Sequence, residues 1–389
     1  MRRVPHCPPL RHHVFLPTPL PAPTLVATVH PLPSLELLER DWRALQERAD
    51  CSVFLTWLWI GHWLRIVPDP SALQLVAVRA DGELVGLGIV CGKRWLGIGP
   101  RYLRLHETGD AVIDRLTIEY HGMLSVSGLE SAVLAAALDA CAGQLGPGGL
   151  LTLPGVASTL VRQAWRQPAG LRLSERRIPG RFVDLEALRR EGRDHLGYVH
   201  GSTRSVLRRT EKRLRELHGD IGVRVAATKA EAAADFDAMV YMHEAHWWTI
   251  KGGSTAFGDP RLLTFHLRLI DDGFEQGAVQ LVTVTAGSKV VGRLYNLVHR
   301  GVVYYYQAGI DYDCAEGKGS PGLLLLQRGI ELALAAGMRR FELLAGDHRY
   351  KRELAHEQVE LSWATVERDG ILARLRERRR QRGLLLLVA

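Results

Sequence analysis

YYYQAGIDYDCAEGKGSPGLLLLQRGIELALAAGMRRFELLAGDHRYK, residues 304 to 351, decides the fold. An aromatic strand runs into a glycine-rich loop, the loop opens an apolar helix, and the helix returns into a second strand that ends in a polar turn. Ser320 suits the N-cap of that helix and Pro321 its first turn. Gly317, Gly319 and Gly322 keep side chains away from the N–H groups at the helix start, which then form an anion hole suited to a pyrophosphate. Leu323 to Leu326, Ile330, Leu332 and Leu334 make the helix apolar nearly all round, so it is expected to be buried, and Gly337 suits its C-terminal stop.

Read as text, Gly317 to Gly322 also spells GxGxxG, with Glu342 about twenty residues on, where a ribose-binding acid would sit. A dinucleotide site needs that motif after a buried strand in a serial βαβ unit. Here three tyrosines and a polar Asp311 to Asp313 stretch precede it, so the phosphate cradle is the better reading, with a plain structural turn as the alternative.

Around this stretch the run Ser320 to Leu326, the run Gly337 to Asp347 and the pair Tyr350-Lys351 carry a resemblance. Ser202 to Arg209 ahead of a basic helix agrees with it, as does His243 with Trp247-Trp248 before Lys251-Gly252. Together they resemble the CelD-like branch, also labelled cellulose-biosynthesis or BioF2-like, of the GNAT acyltransferases, over roughly residues 35 to 370. The resemblance implies an α/β (α+β) fold of tandem GNAT-like domains, each a mixed twisted sheet flanked by helices. It implies acyl-CoA, acetyl-CoA first, threaded between two splayed strands, its pyrophosphate held at Gly317, Lys318, Gly319, Ser320 and Gly322. The acceptor it suggests is a small molecule or glycan precursor of envelope or polysaccharide synthesis. Cys314 departs from the common cradle, which has Gln or Arg three residues before its first glycine. The related FemABX peptidyltransferases share the fold and a similar basic helix but take an aminoacyl group from tRNA, and they are the first rival. A catalytically silent binding subunit of a polysaccharide assembly is the second.

At 389 residues with 47% hydrophobic content, the chain is long enough for two ordinary domains. An internal repeat sets their plan: Gln74 to Gly86 aligns without gaps on Gln280 to Gly292, matching at seven of thirteen positions. Each copy reads as a strand, a tight turn and a returning strand after a long helical region. The expected divisions are a disordered Pro/His/Arg-rich leader at 1–33, a degenerate GNAT-like domain at 34–190, an acyltransferase domain at 191–372, and a basic helix end and tail at 373–389. The segment 171–185 is read as strands closing the first domain. Five cysteines without regular spacing suit thiols in a reducing compartment. No apolar run reaches membrane-spanning length, and a cytoplasmic protein is expected. The net charge of +8 gathers in Arg204 to Arg215 and Arg374 to Arg382. These runs suit a solvated face, coenzyme A phosphates or weak membrane-surface association, and without stacking aromatics they argue against nucleic acid.

Direct attack of an amine or hydroxyl on a thioester needs a proton acceptor and a donor to the carbonyl or leaving thiolate, with no covalent enzyme intermediate. Asp347, at a strand end after a small-residue turn, is the first candidate for the base, with a helix cap as its plain alternative. Lys351 then pairs with it or holds an anionic group. His243 and His246 sit three residues apart on a helix, one short of the HExxH spacing, so no metal is assigned. His243 is a candidate for the acceptor pocket and Trp247 for a binding platform. Of the three tyrosines, Tyr306, nearest the loop, is the chosen donor to the thiolate.

Overall fold

The computed structural model describes residues 24–376, apart from 95–99, 117–118, 253–255, 372 and 375. Its first half runs β1 (Leu25–Pro31), α1 (Leu35–Gln46), α2 (Trp57–Ile66), β2 (Leu73–Ala80), β3 (Glu83–Arg94), β4 (Arg101–Leu105), β5 (Leu124–Ser125), α3 (Glu130–Gly143), β6 (Leu150–Ala157), α4 (Ser158–Ala164) and β7 (Leu171–Asp184). Short α5 (Leu185–Arg190) and α6 (His195–Tyr198) lead to α7 (Gly201–His218). There follow β8 (Ile221–Val225), α8 (Lys229–Lys251), α9 (Pro260–Gly273), β9 (Val279–Ala286), β10 (Lys289–His299), β11 (Val302–Ile310), α10 (Pro321–Ala335), β12 (Arg340–Ala345), α11 (Arg349–Leu354) and β13 (Glu357–Arg368).

Among the described residues, thirteen strands form one sheet in the order β1-β2-β3-β4-β6-β13-β7-β12-β11-β10-β9-β8, with β5 beside β3. Reading inward from either edge gives the same succession of elements, so the halves are related by a pseudo-twofold between β13 and β7. The repeat extends to a shared irregularity. In the first hairpin Val85 is left out of the ladder between the pairs Gly86↔Val78 and Leu84↔Arg79; in the second Val291 is left out between Gly292↔Val284 and Val290↔Thr285. These two valines occupy the same position of the aligned repeat.

The segment expected to close the first half does something else. β7 pairs with β12 of the second half, β13 pairs with β6 of the first, and β7 and β13 join along twelve residue pairs at the centre. The halves thus exchange their last strands within one continuous sheet. The leader boundary also moves: Leu25–Pro31 is the edge strand, antiparallel to β2. Residues 1–23 and most of the basic tail lie outside the described residues.

Helices cover both faces. Alternation along β9 sends Val279 and Leu281 to a core shared with α1, α2, α8 and α9, and Val282 and Val284 to the core beneath α10. The corresponding face of the first half is covered by α3 and α4. Sharing of the first core by both halves leaves little independence between them.

Candidate active site

β11 and β12 pair in parallel over only three residues, Val302 to Tyr304 against Arg340 to Glu342. Beyond these the strands splay. A cleft of about 710 Å³ opens at the splayed end. Its walls are His243, His246 and Trp247 from α8, Tyr305 and Gln307 from β11, and His348 and Tyr350 after β12; Ser320, Gly322 and Leu323 bring the start of α10 to the same space.

The helix start matches the anion-hole expectation in part. Ser320 stands at the N-cap but makes no side-chain cap, and Pro321 has no N–H, so the N–H groups of Gly322 and Leu323, two residues that line the cleft, have no intrahelical acceptor. Gly317 takes φ +71°, a conformation that favours glycine. The Ser320 N–H, expected to hold phosphate, instead donates to Thr210 Oγ1 at 2.9 Å. A Cβ on Gly319 would lie 2.9 Å from that same hydroxyl, so this glycine lets the basic α7 close on the loop. Lys318 is exposed. Cys314 is buried, its carbonyl 2.8 Å from His218 Nε2, and burial pushes its thiol up to about 11. Cys314 does not line the cleft. Much of the charge of α7 is internally paired, Arg213 with Glu316 and Arg215 with Glu211 and Asp220.

His243 is in place. It is buried in the cleft wall, and its Nδ1 lies 3.1 Å from the carbonyl of Ala308 on β11. A carbonyl accepts only, so Nδ1 carries the hydrogen and the basic lone pair belongs to Nε2. Burial lowers its pKa, which keeps the ring neutral. His246 stacks on Tyr312, ring centroids 4.2 Å apart.

The tyrosine assignment needs correction. Tyr306 turns away from the cleft to pack on Trp59, His266 and Tyr295 in the shared core. Tyr305 and Tyr350 line the cleft, and burial raises both phenols, which keeps them protonated. Successive tyrosines of β11 point to opposite faces, but both faces are covered, so periodicity alone does not show which one holds the cleft.

Asp347 also sits elsewhere. Its carboxylate is half exposed, 2.9 Å from Arg352 and 3.3 Å from Arg181, and these guanidiniums hold its pKa below the usual carboxylate value. It does not cap α11, whose N-cap is His348. A depressed pKa outside the cleft wall is a poor setting for a base. Nor does Lys351 pair with Asp347: it is buried, donates from Nζ to the carbonyls of Leu344 (3.1 Å) and Ala345 (2.5 Å), and desolvation brings it down to about 8. Glu342 lines a different cavity, of about 520 Å³, where it meets Tyr120 and Arg340.

Residues 201–352 match the sequence model of the acetyltransferase (GNAT) domain family. A search of curated proteins finds no match. Two solved structures superpose over nearly their whole length. One, described as FemX, has a TM-score of 0.53 at 10% identity, covering 84% of this chain and 95% of its own. The other, provisionally described as the C-terminal domain of a lysylphosphatidylglycerol synthetase from Agrobacterium fabrum, has a TM-score of 0.51 at 12% identity, covering 88% and 94%. They share this chain's two-half fold. The match lies in the second half, the half that holds the cleft and shares its fold with FemX, and the chain is an acyltransferase.

Proposed function

We propose that the chain transfers an acyl group from acyl-CoA to an amine or hydroxyl by direct attack in the cleft between β11 and α8. One observation carries the reading: the uncapped N-terminus of α10 and the oriented imidazole of His243 open onto the same space. The Gly322 and Leu323 N–H groups would hold the pyrophosphate, and the splay of β11 from β12 leaves unpaired backbone beside the pantetheine path. The co-substrate supplies the activated acyl group. His243 Nε2 takes the acceptor's proton, and Tyr305, kept protonated by burial, donates to the leaving thiolate with Tyr350 beside it. Trp247 and the His246–Tyr312 stack offer flat surfaces for the acceptor. The CelD-like resemblance points to a sugar or other envelope precursor.

An aminoacyl donor is the second reading. It is favoured by the two full-length fold neighbours, one described as FemX and the other as a lysylphosphatidylglycerol synthetase domain, and by α7 resting on the loop. Calorimetry of the purified chain with acetyl-CoA, a long-chain acyl-CoA and aminoacyl-tRNA, side by side, separates the two. Micromolar binding of a coenzyme A ester supports the first; binding of aminoacyl-tRNA alone replaces it with the second.

A further inference from the structure

The first half has a strand splay of its own. β4 and β6 pair in parallel only from Tyr102 to Arg104 against Leu150 to Thr152. In the second half the equivalent gap is the cleft, but here the chain's own loop fills it: the His121 N–H donates to the Gly155 carbonyl at 2.9 Å, and His121 bridges Val156 in parallel. Two side chains beside this plug cross to the other half. Glu119 accepts the N–H of Ala345, and the Tyr120 hydroxyl donates to Glu342 at 2.5 Å. Tyr120 is held at φ +56°, rare for an aromatic residue, with its carbonyl bonded by Ser52 at 2.9 Å.

What they reach is the irregular end of β12. Leu343 and Leu344 together face the single residue Arg181, because the ladder jumps from Glu342↔Phe182 to Ala345↔Gly180. Leu344 takes φ +61°, which a bulky side chain seldom adopts. The bulge allows two successive carbonyls, Leu344 and Ala345, to converge on Lys351 Nζ, while Glu119 holds the Ala345 N–H. Glu119 and Lys351 are each only 5% exposed. The next residues of the chain, through His348 and Tyr350, form one wall of the cleft.

We infer that the plug of the degenerate half is a positioning element for the working half: Glu119, acting with Lys351, fixes the bulged end of β12 and thereby the His348–Tyr350 wall. Glu119 does not touch the cleft, so it acts through Ala345 and Lys351. The half that lost its groove has become the buttress of the half that kept it. Only the donor-binding part of the test rests on the function proposed above.

The experiment is amide hydrogen exchange on the full chain, wild type against Glu119→Ala and Glu119→Gln, with acetyl-CoA affinity measured on the same samples. Glu119→Ala is expected to speed exchange at residues 343–350 by about tenfold or more, leave the β2–β3 hairpin unchanged and weaken acetyl-CoA several-fold. Glu119→Gln, which keeps an acceptor for Ala345, should recover most of the protection. Should Glu119→Ala not fold, the double variant Glu119→Gln/Lys351→Met, which buries no unpaired charge, replaces it and should still loosen 343–350. Wild-type exchange there in a folded Glu119→Ala or double variant overturns the inference, as does loosening spread evenly over the chain. If wild type fails to bind acetyl-CoA, the donor assignment falls while the exchange data still decide the buttress.

Discussion

His243→Asn is the most direct perturbation of the proposed chemistry. Asparagine places an amide N–H near the position of Nδ1, so the bond to the Ala308 carbonyl is retained and about 1 kcal/mol of stability is not lost with it. What disappears is the Nε2 lone pair. General-base catalysis contributes roughly 10²- to 10⁴-fold, so turnover should fall by at least about a hundredfold, near 2.7 kcal/mol of transition-state stabilisation. Donor affinity should stay within about threefold, because no phosphate contact is assigned to the imidazole. The assay is release of the coenzyme A thiol from acetyl-CoA across a panel of small amines and hydroxyl compounds, paired with calorimetry and thermal unfolding. Burial also sets a sign for pH: because the His243 pKa is lowered, the basic form persists below the ordinary histidine range, and the acid limb of the wild-type rate should lie below about pH 6.5. A folded His243→Asn protein with near wild-type turnover would refute the assignment.

Gly319→Val should displace the Thr210 hydroxyl from the Ser320 N–H and weaken acetyl-CoA binding by about tenfold, near 1.4 kcal/mol, which calorimetry reads; unchanged affinity would remove the loop from the donor site. Tyr305→Phe should lower turnover, whereas Tyr306→Phe, in the shared aromatic core, should affect stability alone; the opposite pattern in paired rate and melting measurements would restore the original choice of Tyr306. Desolvation depresses Lys351 from 10.5 to about 8 against the opposing pull of Glu119 and Glu342, so between those values the unfolded chain binds more protons than the folded one. Stability relative to Lys351→Met should therefore rise with pH across that window, by up to about 3 kcal/mol, and denaturant titrations at pH 7.5 and 10 showing no difference would contradict the burial of a charged amine.

Local patterns in the sequence were good guides and partner choice was not. The repeated hairpin was legible because alternation and an Asp81-Gly82 or Gly287-Ser288 turn are written within thirteen residues. The buried helix α10 was legible because its leucines and its glycine stop adjoin. Tyr305 and Tyr306, neighbours on one strand, point to opposite faces, yet β11 is covered on both sides, so nothing in the pattern ranked them. Asp347 was read as a cleft acid from its place after a strand, but the left-handed Leu344 just before it, and Arg181 far upstream, give it a different setting. Glu119 and Tyr120 carried no signal at all, since their partners lie 226 and 222 residues away. The same holds for β7 and β13, since nothing within either strand names its partner.

That exchange of strands has a consequence for how the molecule comes into being. The innermost pairing of the first half, Leu150 against Glu367, joins residues that leave the ribosome more than two hundred positions apart. While synthesis continues, β6 presents an open edge with no neighbour on that side, the kind of surface that invites pairing with other nascent chains. Only when β13 has emerged can the middle of the sheet zip shut. Assembly governed by such distant contacts is slow, and it makes a strand translated late, β13, the one that completes the earlier half of the fold.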